Sequence, residues 1–303
     1  MIATPRLCRD AEGRARRPTP GGGDGVMVLT PQMVQPSPEM TNRPGSQGPQ
    51  QGEAEMPNGY VWYELMTTDQ DAAEKFYADV VGWKLTDSGM PGLRYTLFSA
   101  GENVVGGIMA MPEMKPYWFG YVGVDSADAY AEKVKAAGGS VHKGPADIPG
   151  VGRFAIVADP QGAVFSLFEP GPGNQPPPAP YMAPGSVGWN ELHTTDLEAG
   201  FAFYAELFGW EKDEAIDMGP GGPYQLVRMG GGHPTGAMHK SDQLPQPAWV
   251  YYFSVPGIDA AKAKVEAGGG TIVVDLMEVP GGMWVLNATD PQGTLFALVG
   301  PRG

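Results

Sequence analysis

One long stretch of this 303-residue chain is written twice. YVWYELMTTDQDAAEKFYADVVGWKL, starting at Tyr60, returns at Val187 as VGWNELHTTDLEAGFAFYAELFGWEK. Paired residues keep an offset of 127: Trp62 with Trp189, Glu64 with Glu191, Asp69 with Asp196, and Gly82-Trp83 with Gly209-Trp210. Further on the offset is 131, so that Asp159-Pro160-Gln161-Gly162 answers Asp290-Pro291-Gln292-Gly293. A period this long marks a duplicated domain and not a short-repeat solenoid. Each copy, roughly 110 residues, is long enough to bury a core of its own.

Charge and composition then exclude several function classes. The net charge is −14, and the six Arg and six acids of residues 1–55 cancel, so the negative charge belongs to the repeats. A nucleic-acid partner would need a basic patch, which argues against that role. The single cysteine, Cys8, permits no internal disulfide and no thiolate-based site in either copy. No run of 18 apolar residues exists, so no membrane-spanning helix is expected and a cytoplasmic location is. Residues 1–55, rich in Pro, Gly and Gln, are expected to form a disordered extension. The expected organisation is domain 1 over 56–171, a Pro-rich linker over 172–185 beginning PGNQPPPAP, and domain 2 over 186–303.

Within a copy the hydrophobic period switches in a fixed order. Tyr60 to Thr67 alternates as a strand; Asp69 sits where an N-cap is wanted; Ala73, Phe76, Tyr77 and Val80 follow at helical spacing until Gly82. Strands are predicted over 84–86, 94–99 and 104–111, after which the pattern restarts: strand 119–124, helix 126–137, strands 140–143, 154–158 and 164–168. The second copy predicts strands over 188–194, 224–229, 235–239, 249–255, 271–274, 283–288 and 295–299, with helices over 197–208 and 259–267. Each copy is thus a pair of β-α-β-β-β units in an α+β fold.

The order "strand, T-x-D, helix carrying FY, GW", followed later by DPQG and a last strand, resembles the vicinal oxygen chelate superfamily. That superfamily includes glyoxalases, extradiol dioxygenases and bleomycin-resistance proteins, and W-x-E-L resembles its tandem-domain, antigen-like or hydroxylase-like members. The resemblance implies two tandem domains, each an open, cup-shaped sheet with the site in the cup. It also implies a divalent metal held by His and Glu on inward-facing strands. Carried over position by position, those ligands fall on Trp62 and Trp189, on Phe119 and Val250, on Ser166 and Ala297, and within 106–110 and 236–239, where His239 alone could serve. The usual metal site is therefore not expected.

Strand parity supplies other candidates. Trp62, Glu64 and Met66 share one face, as do Trp189, Glu191 and His193. Glu64, Glu191 and His193 are the expected catalytic groups. Trp62, Trp189, Trp118, Trp249 and His239 are the expected ligand contacts. No cofactor is expected at the family position, although Glu191 with His193 and His239 would suffice for a non-standard divalent site in the second copy. Two functions follow. One is a glyoxalase- or hydroxylase-like enzyme for a small carbonyl or aromatic compound; the other is a metal-free protein that sequesters a small hydrophobic or aromatic molecule. Either would take a small-molecule ligand, with no nucleic acid and no membrane, as a monomer or homodimer.

Overall fold

The computed structural model describes residues 58–172 and 181–303. The expected extension over 1–55 and most of the Pro-rich linker lie outside the described residues. Domain 1 runs β1 (Tyr60–Thr67), α1 (Gln70–Val80), β2 (Lys84–Asp87), β3 (Tyr95–Ala100), β4 (Asn103–Ala110), β5 (Tyr117–Gly123), α2 (Ala127–Ala136), β6 (Ser140–Ile148), β7 (Gly152–Ala158) and β8 (Val164–Pro170). Domain 2 repeats the order: β9 (Val187–Thr194), α3 (Leu197–Phe208), β10 (Glu211–Asp217), β11 (Pro223–Arg228), β12 (Gly236–Lys240), β13 (Ala248–Ser254), α4 (Ile258–Ala267), β14 (Thr271–Val279), β15 (Met283–Thr289) and β16 (Leu295–Gly300). Each domain forms one open eight-stranded sheet, in the orders β2-β3-β4-β1-β5-β8-β7-β6 and β10-β11-β12-β9-β13-β16-β15-β14. The first strands of the two units, β1 and β5 or β9 and β13, pair at the centre and run antiparallel.

Local chemistry sets the boundaries. The Asp69 and Asp196 side chains accept from the Ala72 and Ala199 amides at 3.0 and 3.1 Å, capping α1 and α3. Gly209, at φ 69°, ends α3 in the left-handed region that a Cβ disfavours. In each DPQG turn the aspartate Oδ1 accepts two backbone amides, Gln161 and Ala163 at Asp159, Gln292 and Thr294 at Asp290.

One strand escaped the sequence reading. β10, EKDEAID, is a charged edge strand with exposed residues on both faces, so it carries no apolar alternation to detect. β6 and β14 also run on to Ile148 and Val279, past irregularities in their pairing with β7 and β15.

The two faces of each sheet do different work. One face joins the helices in a core shared by the two domains, containing Tyr63, Leu65, Phe76, Trp83, Phe98 and Trp118 with Leu192, Phe203, Trp210, Trp249 and Phe253. The other face lines the cup and carries its own smaller apolar cluster in each domain.

Candidate functional site

Strand alternation delivers Trp62, Glu64 and Met66 into the first cup and Trp189, Glu191 and His193 into the second. In the second cup Glu191 is buried and held by two phenols. Tyr224 donates to its Oε2 at 2.5 Å and Tyr252 to its Oε1 at 3.0 Å. The Trp189 indole N–H donates to the Tyr224 oxygen at 2.9 Å, so the phenol proton is committed to the carboxylate. His193 Nε2 lies 2.8 Å from Glu191 Oε1, and its Nδ1 meets Ser241 Oγ at 3.0 Å. His239 stands opposite His193 in the parallel β9–β12 pairing, with ring centroids 4.4 Å apart. Its Nε2 is 3.6 Å from Glu191 Oε1, beyond hydrogen-bonding reach, and is buried without a partner. Burial pushes the Glu191 carboxyl up, but His193 and His239 beside it more than offset this and hold it well below the usual carboxylate range.

The first cup repeats the carboxylate and its phenols. Tyr121 donates to Glu64 Oε2 at 2.5 Å, and Trp62 Nε1 donates to Tyr95 at 3.1 Å. By strand register, however, Met66 stands where His193 does and Met109 where His239 does. Met111, whose amide donates to Thr67 as the Ser241 amide does to Thr194, replaces Ser241. Without imidazoles, burial pushes the Glu64 carboxyl up, and the Tyr121 and Tyr95 hydroxyls only partly oppose it. Burial and the neighbouring carboxylates also raise Tyr95, Tyr121, Tyr224 and Tyr252 well above the ordinary phenol value, so all four remain donors at neutral pH.

Glu64, Glu191, His193, His239, Trp62 and Trp189 therefore sit in the cups. Trp118 and Trp249 do not, which corrects the expectation that they contact a ligand. Both are buried in the shared core, where their indoles donate to Tyr77 and Tyr204 at 3.1 and 2.9 Å. The reason is parity: the alternation that turns Phe119 and Val250 into the cups turns Trp118 and Trp249 away. The same parity, carried two residues past Phe119 and Val250, would have found Tyr121 and Tyr252. Tyr95 and Tyr224 had no such signal, because they reach the carboxylates from β3 and β11, two strands away.

At the positions where the family's metal ligands would stand, Trp189, Val250 and Ala297 offer no donor for a divalent cation and leave His239 as the one donor in the second cup, while Trp62 and Phe119 offer none in the first. A metal in the family position does not fit these residues. Among the described residues, Glu191, His193 and His239 do bring three ligand atoms within 4.8 Å of one another.

Known proteins share this architecture. Residues 59–167 and 186–298 each match the Glyoxalase/Bleomycin resistance protein/Dioxygenase superfamily. The Mycobacterium tuberculosis protein named "Putative glyoxylase CFP32" is 32% identical over 252 residues, covering 79% of this chain and 94% of that protein. "Anthracycline biosynthesis protein DnrV" of Streptomyces peucetius is 30% identical over 262 residues, covering 80% and 93%. Among solved structures, the Mn(II)-bound glyoxalase from Novosphingobium aromaticivorans superposes with a TM-score of 0.57 at 18% identity, covering 81% of this chain and 83% of that one. The 2,2',3-trihydroxybiphenyl 1,2-dioxygenase from Sphingomonas wittichii does so at 0.58 and 16% identity, covering 82% and 91%. With the family matched in both repeats and curated relatives aligned along most of its length, this chain belongs to the glyoxalase/bleomycin resistance/dioxygenase superfamily as a tandem two-domain member.

Proposed function

We propose that this protein is a glyoxalase-like enzyme acting on a small carbonyl or aromatic compound, and that its chemistry takes place in the second cup. The observation that carries this reading is internal to the chain. Both cups hold a buried carboxylate in the same frame of two phenols and an indole, but the second alone adds two imidazoles and a serine hydroxyl. A frame of this kind keeps polar groups in one geometry before a ligand arrives. Chemistry next to a carbonyl or phenol oxygen needs groups that polarise the oxygen and groups that move a proton. The phenols, imidazoles and carboxylate of the second cup supply both.

The apolar body of the substrate would rest on half-buried Trp189, Leu244, Met277 and Met283, which pack against the apolar cluster of the second cup. These walls suit a flat or hydrophobic compound. The names of the relatives, a glyoxylase and an anthracycline biosynthesis protein, support a carbonyl-bearing or aromatic substrate class. A second reading, ligand sequestration without turnover, is favoured by the first cup. There Met66, Met109 and Met111 replace the polar triad and leave an adaptable apolar wall.

The test uses the methylglyoxal–glutathione adduct and catechol as probes. Binding is followed by indole fluorescence and turnover by absorbance. His193→Met, which installs the first cup's residue, is expected to lower turnover by at least 100-fold, with Met66→Leu near wild type. Turnover unchanged by His193→Met would sink the second-cup assignment. Equal losses from Glu64→Gln and Glu191→Gln would show that both cups react.

A further inference from the structure

The two cups serve as each other's control. Glu64 is held by its phenol without any imidazole nearby, so the carboxylate frame does not need His193 and His239 to stand. These histidines, with Ser241, are additions at three corresponding positions, and their geometry differs from ordinary packing in two ways. First, His239 Nε2 is buried, lacks a hydrogen-bond partner and points toward Glu191. Buried polar atoms of folded proteins are overwhelmingly paired, so an orphan imidazole nitrogen calls for an occupant. Second, His193 is held from behind: Ser241 Oγ meets Nδ1, which leaves Nε2 turned to the same point as His239 Nε2 and Glu191 Oε1. Ligating histidines are characteristically fixed through the other ring nitrogen in this way.

We propose that Glu191, His193 and His239 form a three-ligand site for a hard or borderline divalent cation such as manganese, zinc or nickel, displaced from the place where the superfamily seats its metal. On β9 the displacement is two to four residues beyond Trp189, along the same cup-facing row. Two imidazoles and a carboxylate are a donor set that such cations accept, with positions left for ligands from the cup. Oε1 is 2.8 Å from one imidazole nitrogen and 3.6 Å from the other. Donor atoms about 2.0–2.2 Å from a shared ion stand roughly 3–4 Å apart, so little rearrangement is required. The proposal rests on the reading of the second cup as the reactive one. It adds that a cation held by Glu191, His193 and His239 would supply a Lewis acid to the cup, while the Tyr224 and Tyr252 hydroxyls remain as donors.

The experiment uses the full chain, stripped with chelator and then titrated with zinc, manganese and nickel chlorides by calorimetry, with bound metal counted by mass spectrometry under native conditions. One equivalent binding at micromolar affinity or tighter is expected for at least one of the three. His239→Met and His193→Met should each weaken that binding by at least 100-fold, and Glu64→Gln should leave it unchanged. Circular dichroism establishes that each variant is folded, and His239→Met, on the less buried ring, is the safer of the two. No stoichiometric binding of any of the three ions, or binding indifferent to both histidine substitutions, overturns the site. The two readings fail separately. A metal-free chain that turns over the probes in a His193-dependent manner removes the cation and keeps the enzyme. A metal-loaded chain that neither binds nor converts them keeps the cation and removes the substrate class.

Discussion

Tyr204 of the second domain donates its hydroxyl hydrogen bond to Asp159 of the first, at 3.1 Å between the hydroxyl and Oδ2. The duplication repeats the contact in reverse, Tyr77 to Asp290, also at 3.1 Å. Each tyrosine belongs to the FY pair of one domain and each aspartate to the DPQG turn of the other. Each phenol oxygen also accepts an indole N–H, from Trp249 or Trp118. Two motifs far apart in each repeat thus meet across the domain boundary, which gives a physical reason for both to appear in both copies.

Removing one such hydroxyl leaves a buried carboxylate oxygen and a buried indole N–H unpaired. Tyr204→Phe is expected to cost about 1–3 kcal/mol, with Tyr77→Phe comparable. Because one core spans both domains, urea unfolding of either variant should remain a single transition monitored alike by fluorescence and circular dichroism. Two resolved transitions would show that the domains unfold independently.

Glu64 gives a pH signature. Burial raises its carboxyl in the folded state above its unfolded value, so its contribution to stability is fully present below the unfolded pKa, about 4.3, and is lost as pH rises through the folded one. Glu64→Gln, which keeps an oxygen for Tyr121, should therefore be more stable than the parent at neutral pH. The gain should vanish toward pH 4. Glu191→Gln should do the opposite at neutral pH: it removes the carboxylate partner of His193 and leaves only one acceptor oxygen for the Tyr224 and Tyr252 hydroxyls, at a cost of about 1–3 kcal/mol. Melting temperatures of both variants across pH 4–8 check the pair, and a parallel response of the two would refute it.

Gly107 shows what positions the first cup's phenol. A Cβ there would lie 2.1 Å from the Tyr95 hydroxyl and 2.2 Å from Cζ, so the ring crosses the strand where only glycine leaves room. Ala237 holds the corresponding place in the second domain, opposite Glu191. Gly107→Ala should displace Tyr95, break its contact with Trp62 and cost about 1–3 kcal/mol. In a Tyr95→Leu background the cost should fall substantially, and a double-mutant cycle in urea measures the coupling.

Much of this fold was legible because duplication tests each pattern against a second copy. Asp69 and Asp196 cap helices, the glycines after them end helices, and the strand that opens each repeat faces Glu64 and Glu191 into a cup. What was not legible depends on strand neighbours that sequence order does not reveal. Tyr95 and Tyr224 arrive from strands that do not adjoin β1 and β9, and the crossing of domains by Tyr77 and Tyr204 requires knowing which faces share the core. Trp118 and Trp249 are core residues because alternation along β5 and β13 turns them away from the cups. β10 went unseen because an edge strand with charge on both faces carries no buried row.

The strongest demand on the cation site is that it be transferable. Glu64, Tyr95, Tyr121 and Trp62 reproduce the frame of Glu191, Tyr224, Tyr252 and Trp189, and the strand register places Met66 beside Met109 as it places His193 beside His239. The combined substitution Met66→His, Met109→His and Met111→Ser should therefore create in the first cup what the second already has. Calorimetry with the cation that the parent prefers should then count two equivalents per chain where the parent counts one. The new site should be abolished by Glu64→Gln, which spares the old one. Added imidazoles that fail to bind, in a protein that still melts cooperatively, would mean that the carboxylate frame is not the shared element of the two cups. The geometry of the second cup would then require a feature outside the residues named.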